Sequence, residues 1–199
     1  IANRLVGSEM CIRDRAVTVL MDVFWQTGRT GNVTPVSRVA PVVVSGVTVE
    51  NTTLHNKGDV ERLGIMIGDK VRVVRRGDVI PKITEVLGPA HDSDLIDRSH
   101  SDGTPFSESL PSRSEIPVPE GCPRCSTDLI IDGAFIRCTN IDCPSRLERG
   151  ILYWCRKLGM DGIGEKLAEQ LCSSGLVTRL GDLYPVSYTH LRAHETVSY

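Results

Sequence analysis

Aromatic rings are scarce in this 199-residue chain, where Phe, Trp and Tyr together make up 5%. Surfaces that hold single-stranded nucleic acid stack successive bases on several exposed rings. Up to residue 90 only Phe24 and Trp25 are present. Side chains alternate across a strand, so adjacent rings point to opposite faces and at most one of them can stack. Long apolar runs are missing too. None approaches the roughly 18 residues that cross a bilayer, and no signal-peptide pattern opens the chain, so no membrane association is expected. Nor does charge of one sign dominate: the formal net charge is −2, with 24% charged residues. The seven cysteines do not read as a disulfide framework, because four of them fall in a metal-ligand pattern. That usage favours a reducing compartment.

Those four are Cys122, Cys125, Cys138 and Cys143. Zinc takes four soft ligands at tetrahedral corners, and two cysteine pairs on tight turns supply two corners each. Pro123 and Pro144 stiffen the turns, while Asn140 and Asp142 suit the second bend. The alternative is four unrelated buried thiols. Four thiolates leave no position open for substrate, so this metal would hold the fold. In so short a segment it would contribute on the order of 10 kcal/mol of local folding free energy. Cys155 and Cys172 fall in helical stretches and read as plain buried thiols.

Along the chain, residues 16–90 read as a small barrel. Val17, Val19, Val23 and Phe24 begin a strand that Gly28-Arg29-Thr30-Gly31-Asn32 ends. The β-branched runs 33–36 and 39–44 are interrupted by Pro35 and Pro41, and Gly46 divides two more. One helix is expected over 56–63, with Asp59 capping its last stretch and Gly64 ending it. Strands follow at 70–74, where Val71 and Val73 alternate with Arg72, and at 83–87. Five short strands with one late helix suit a five-stranded oligonucleotide-binding (OB) barrel, with an SH3-like barrel as the rival. Residues 91–121, rich in Ser, Asp and Pro, read as an acidic, flexible connector with little structure of its own. Its charge balance is −5, against +2 for residues 16–90 and zero for 122–184. The near-neutral total therefore does not argue against a polyanionic partner.

Residues 122–144 form the metal module, with a hairpin signal at Asp132-Gly133. Ser145 reads as the N-cap of a helix to about Leu158, on the spacing of Leu147, Ile151, Trp154 and Leu158. Gly159-Met160-Asp161-Gly162-Ile163-Gly164 then turns tightly into a helix from Glu165 to about Ser173. Helix, glycine turn and helix make the helix-hairpin-helix pattern, in which backbone amides at a helix N-terminus face a phosphate and Gly162 and Gly164 permit close approach. Residues 1–15 and 185–199 have no convincing period. They resemble translated adapter or assembly sequence, so they are read as artefact tails, and Cys11, His190 and His194 are not taken as ligands.

The strings Gln26-Thr27-Gly28-Arg29-Thr30-Gly31, Thr34-Pro35-Val36, Thr53-Leu54-His55-Asn56, Ile67-Gly68-Asp69 and Arg75-Arg76-Gly77-Asp78-Val79-Ile80-Pro81 stand in order here. With the four cysteines, Met160-Asp161-Gly162-Ile163-Gly164-Glu165-Lys166 and Glu169-Gln170-Leu171, they resemble the middle of a bacterial NAD-dependent DNA ligase over residues 16–184. That resemblance implies a barrel, a zinc finger and the start of a helix-hairpin-helix domain (residues 145–184). It also implies a function: holding nicked duplex DNA, with 5′-phosphate and 3′-hydroxyl ends, during replication and repair. In such enzymes the adenylated lysine lies in a Lys-x-Asp-Gly string, and none occurs in this sequence. Asp161-Gly162 follows Gly159-Met160 and is not that motif. No catalytic residue is therefore expected in this segment, which should be inert alone. NAD and Mg2+ are implied for the full-length enzyme and not as ligands of this segment.

The resemblance assigns DNA contacts to Arg29 and Thr30 on a glycine-flanked turn, to Arg75, and to Val79 and Ile80. The last two, if exposed, would press apolar surface into the minor groove; the alternative for them is barrel core. Arg76 stands where the family commonly has a small residue. A monomer in the bacterial cytoplasm, associated with the nucleoid, completes the expectation. Two other readings remain: a stand-alone, non-enzymatic, zinc-containing nucleic-acid-binding module, and a zinc-stabilised interaction protein.

Overall fold

The computed structural model describes residues 14–75 and 80–183. Contacts divide the chain into two compact units. Of the described residues, the first holds those up to Thr27 together with those between Asn32 and Thr139, and the second holds Gly28–Gly31 together with those from Asn140 to Leu183.

In the first unit, β-branched and alternating stretches give β1 (Arg15–Thr27), β2 (Asn32–Val44), β3 (Val47–Thr53), β4 (Asp69–Val74) and β5 (Lys82–Pro89). β1 pairs antiparallel with both β2 and β4, β4 pairs with β5, and β3 touches β5 in parallel at Thr53 and Lys82. The sheet therefore closes on itself as the expected five-stranded barrel. Its interior is filled by Leu20, Val23, Val39, Leu54, Val71 and Val73 among others. Removing each such side chain from water is worth about 1.5–3 kcal/mol.

The expected break of residues 33–44 into two strands does not occur, because β2 runs through both prolines. Pro35 stands opposite Trp25, and its carbonyl accepts a hydrogen bond from Leu54 N at 3.2 Å. Pro41 falls where the β2–β3 register shifts between Arg38 and Val42, and an irregular stretch tolerates a missing N–H. The β2–β3 hairpin turns at Ser45 and Gly46, both with positive φ, as a two-residue turn requires. The helix α1 (Lys57–Leu63) lies between β3 and β4. Its N-cap is Asn56, whose side chain accepts from Asp59 N at 2.8 Å, and Gly64 ends it at φ 57°. Asp59 is thus no cap; it pairs with Arg62 at 2.9 Å.

Residues 91–121 are structured, contrary to the expected mobile loop. A 3-10 turn, Asp92–Leu95, sets Leu95 among Val19, Met21, Ala40 and Ala90, with Phe106 and Leu110 against the same cluster. Ile116 enters the barrel core. Polar latches add to this. Arg98 donates to Pro41 O at 2.9 Å and to Asp94 O at 2.6 Å, Trp25 Nε1 donates to Pro117 O at 2.8 Å, and Arg113 pairs with the fully buried Asp69 at 2.7 Å. Composition suggested disorder, but a few widely spaced apolar anchors are enough to fix the strap. Arg15, placed with the artefact tail, starts β1 opposite Val74. The hairpin β6 (Leu129–Asp132) and β7 (Phe135–Cys138) turns at Gly133 and Ala134, and β7 extends the barrel sheet by pairing with β2 at Asn32 and Val33.

The second unit contains α2 (Pro144–Lys157) and α3 (Glu165–Ser173), packed through Ile151, Leu152, Cys155, Ala168 and Val177. Ser145 does not cap α2: Cys143 occupies the N-cap and Pro144 opens the helix, where its missing N–H costs nothing. Arg149 joins the two helices through Glu165 at 2.7 Å. Among the described residues no helix is long and apolar enough to cross a membrane.

Candidate metal centre and nucleic-acid interface

The cysteines 122, 125, 138 and 143 converge, with all four Sγ atoms within 4.8 Å of one another. Tetrahedral thiolates at about 2.3 Å from an ion stand about 3.8 Å apart, so the cluster can hold a metal ion with little movement. Local chemistry prepares it. Thr27 Oγ1, at the end of β1, lies 3.2 Å from Cys122 Sγ, and Thr127 Oγ1 lies 3.3 Å from Cys125 Sγ. Burial works to raise the Cys122 thiol, but hydrogen bonds from Thr27 and from the backbone of Arg124 and Cys125 outweigh it and hold the group below its ordinary range. Burial also opposes ionisation of Cys125, yet the Thr127 hydroxyl and backbone, with Cys122 and Cys138, bring it down to about 6. A thiol so lowered is ready to serve as a ligand. Cys155 is buried elsewhere, in the helical core.

The residues expected to touch DNA lie at three turns. Arg29 and Thr30 sit on the β1–β2 turn and are held within the second unit. The Arg29 guanidinium lies 4.1 Å from the centroid of the Tyr153 ring, and Arg146 Nη2 donates to Thr30 O at 2.8 Å. Arg75 leaves β4 with its N–H bonded to Asp14 O at 3.0 Å. Ile80 precedes β5 and is 69% exposed, so it is not barrel core. Val79, with Arg76, Gly77 and Asp78, lies outside the described residues. Gly162 has φ +89°, whereas Gly164 is extended at φ −93° as the N-cap of α3.

Beside Ile80 runs a groove of about 540 Å³ walled by Arg15, Arg72 and Lys82. Arg72 also pairs with Glu85. Sequence reasoning passed over these three cations. The two-residue alternation of β4 and β5 carries the signal, since it turns Arg72 and Lys82 away from the buried Val71, Val73 and Ile83. Arg15 was lost with the tail.

Comparison with known proteins gives these turns a context. Residues 17–94 match the family model described as the NAD-dependent DNA ligase OB-fold domain. The DNA ligase of Campylobacter lari is 39% identical over 173 residues, covering 86% of this chain and 24% of that protein. The DNA ligase of Sulfurovum sp. is 40% identical over 179 residues, covering 88% and 24%. That of Cellvibrio japonicus is 41% identical over 184 residues, covering 90% and 24%. The chain spans about a quarter of the length of these curated relatives.

Proposed function

Because the chain belongs to the NAD-dependent DNA ligase family, we propose that it supplies the part of such an enzyme that grips nicked duplex DNA. The observation that carries this reading is Ile80: a large aliphatic side chain left 69% exposed, next to a groove with three cationic walls. In water such exposure is a cost, whereas against the minor groove it becomes a wedge that favours distorted duplex. Arg75 and Val79 flank the same loop in sequence. Arg29 and Thr30 supply a second phosphate contact, and Gly162 and Gly164 a third at the start of α3.

Zinc is the ion we assign to the four cysteines. Four thiolates at tetrahedral spacing suit it better than the oxygen-preferring cations, and no coordination position is left for chemistry. Sealing a nick proceeds by nucleotidyl transfers, in which positioning and neutralised phosphate charge matter most. This chain's residues would provide the positioning, acting as a monomer in replication and repair in the bacterial cytoplasm at the nucleoid. NAD, Mg2+ and the adenylated lysine would be held by the remainder of a complete ligase.

The test is binding of the 199-residue chain to nicked duplex, intact duplex and single strands over a range of salt. Log affinity for nicked duplex should fall by about 0.9 per phosphate contacted for each tenfold rise in salt. Ile80→Ser should reduce the preference for nicked over intact duplex. Arg75→Ala, placed in a complete ligase, should slow sealing. A preference for single strands, or affinity that ignores salt, would sink the reading.

A further inference from the structure

On the first unit, a second concavity of about 270 Å³ gathers basic side chains from three separate segments: His55 after β3, Arg62 on α1 and Lys82 at the start of β5. All three are exposed. One acid, Asp59, lines the same space. It holds Arg62 through Nε at 3.2 Å and Nη2 at 2.9 Å. Arg62 Nη1 and Lys82 Nζ have no hydrogen-bond partner among the described residues. Two fixed positive charges therefore face one carboxylate, with an imidazole beside them.

The backbone around this space is committed. Lys82 pairs with Thr53 on one side and Val74 on the other. His55 adopts φ +60° although it is not glycine. Its N–H donates to Thr53 Oγ1 at 3.1 Å, the preceding Leu54 is 1% exposed, and the following Asn56 caps α1. Both neighbours are tied down, so His55 is kept in the left-handed region, and non-glycine strain of this kind gathers at binding and catalytic sites. Lys82 also walls the groove beside Ile80, which makes the two concavities neighbours.

We propose that the pocket of His55, Arg62 and Lys82 seats one backbone phosphate of the DNA that Ile80 and Arg75 engage. The proposal rests on the duplex-gripping reading above and adds a contact beyond its three turns. Lys82 Nζ and Arg62 Nη1 would donate to the two non-bridging oxygens, and a third donor would come from the His55 ring. Asp59 pre-sets the guanidinium, so less side-chain freedom is lost when the phosphate arrives.

The experiment titrates nicked duplex with the 199-residue chain and with its Arg62→Gln/Lys82→Gln variant across a potassium chloride series. Both side chains are exposed, so the variant should fold as the parent does. Its binding should be weaker, and its slope of log affinity against log salt shallower by about 0.9, the value of one phosphate. Lys57→Gln, on the same helix but outside the pocket, should leave the slope unchanged. An unchanged slope in the double variant, or equal changes in both variants, overturns the proposal while leaving the duplex reading standing. Absence of duplex binding by the parent chain overturns both. His55→Gly gives an independent readout, since glycine suits φ +60°. It should melt at or above the parent's temperature yet bind nicked duplex less tightly; undiminished binding would remove His55 from the pocket's role.

Discussion

Two glycines of one turn separate a structural requirement from a functional one. Gly162, at φ +89°, occupies backbone space that L side chains avoid, so Gly162→Ala should destabilise the second unit by about 1–2 kcal/mol. Gly164 is different. Its φ of −93° suits any residue, and a Cβ there would meet nothing within 4 Å. The fold alone gives no reason for glycine at this position, whereas close approach of a phosphate does. Gly164→Ala should therefore change stability by no more than about 0.5 kcal/mol, small helix-capping and unfolded-chain effects opposing each other, while lowering affinity for duplex. Melting curves and binding titrations on the two variants decide it, and equal behaviour in both assays would remove the functional argument. A carboxylate in the strap gives a second residue-level outcome. The hydrogen bond from Lys70 Nζ at 2.5 Å, then that from His91 N at 3.0 Å, hold the Asp94 carboxyl below its ordinary range. A depressed folded value means that the ionised form favours the native state. This stabilisation is complete above the unfolded value of about 3.9 and is lost as pH falls through the folded value. Asp94→Asn should accordingly lower the urea midpoint at pH 7 and flatten its decline below pH 4; parallel curves for the two proteins would show that the pair contributes nothing.

At the scale of elements, the strap of residues 91–117 and the β6–β7 hairpin are attached by different means. Hydrophobic burial attaches the strap, since Ile116 is 9% exposed within the barrel core. Ile116→Ala should cost about 2–3 kcal/mol, measured as a shift in the barrel's unfolding transition, and a cost near zero would restore a free connector. The hairpin has little core of its own. Leu129 to Asp132 are mostly exposed, and only Ile136 and Cys138 of β7 are buried. Beyond the pairing of β7 with β2, an ion held by the four cysteines would be its main tie. Chelation should accelerate amide exchange across β6 and β7 and leave the amides of Val71 and Val73 protected, because the barrel core draws nothing from the cysteines. Exchange unchanged in the hairpin would mean that the four thiols need no ion. These two elements also mark where the sequence was legible. The Asp132-Gly133 signal announced the hairpin to within one residue, because a tight turn is a local property. Docking of the strap is not local: Leu95, Phe106, Leu110 and Ile116 lie four to eleven residues apart amid Ser, Asp and Pro, with no sustained period to betray them. The run through Pro35 and Pro41 was hidden for the same reason, since tolerance of a missing N–H depends on the neighbouring strand.

For the whole molecule, the duplex proposed above as the partner is argued from what the fold does with its few rings. Sequence alone limited the barrel to one usable ring, and the structure assigns which. Trp25 is tied by its indole N–H to Pro117 O and packs against the core, while Phe24 is 37% exposed. The ring pair was legible because adjacent residues of a strand must face opposite ways. What consumed Trp25 was not, because its partner is 92 residues distant. One ring cannot make a stacking track. By contrast, cations stand at Arg29, Arg75, Arg15, Arg72, Arg62 and Lys82, a distribution suited to backbone phosphates, each of which contributes through counterion release. The chain should accordingly bind nicked duplex at least tenfold more tightly than a single strand of equal length at about 50 mM salt. Phe24→Ala should leave that ratio unchanged, because the proposed contacts are to phosphates and not to stacked bases. Competition titrations with the two DNA forms measure both quantities. If single strands compete equally, and Phe24→Ala abolishes their binding, the barrel reads bases through Phe24 after all, and the phosphate contacts assigned to the surrounding cations lose their purpose.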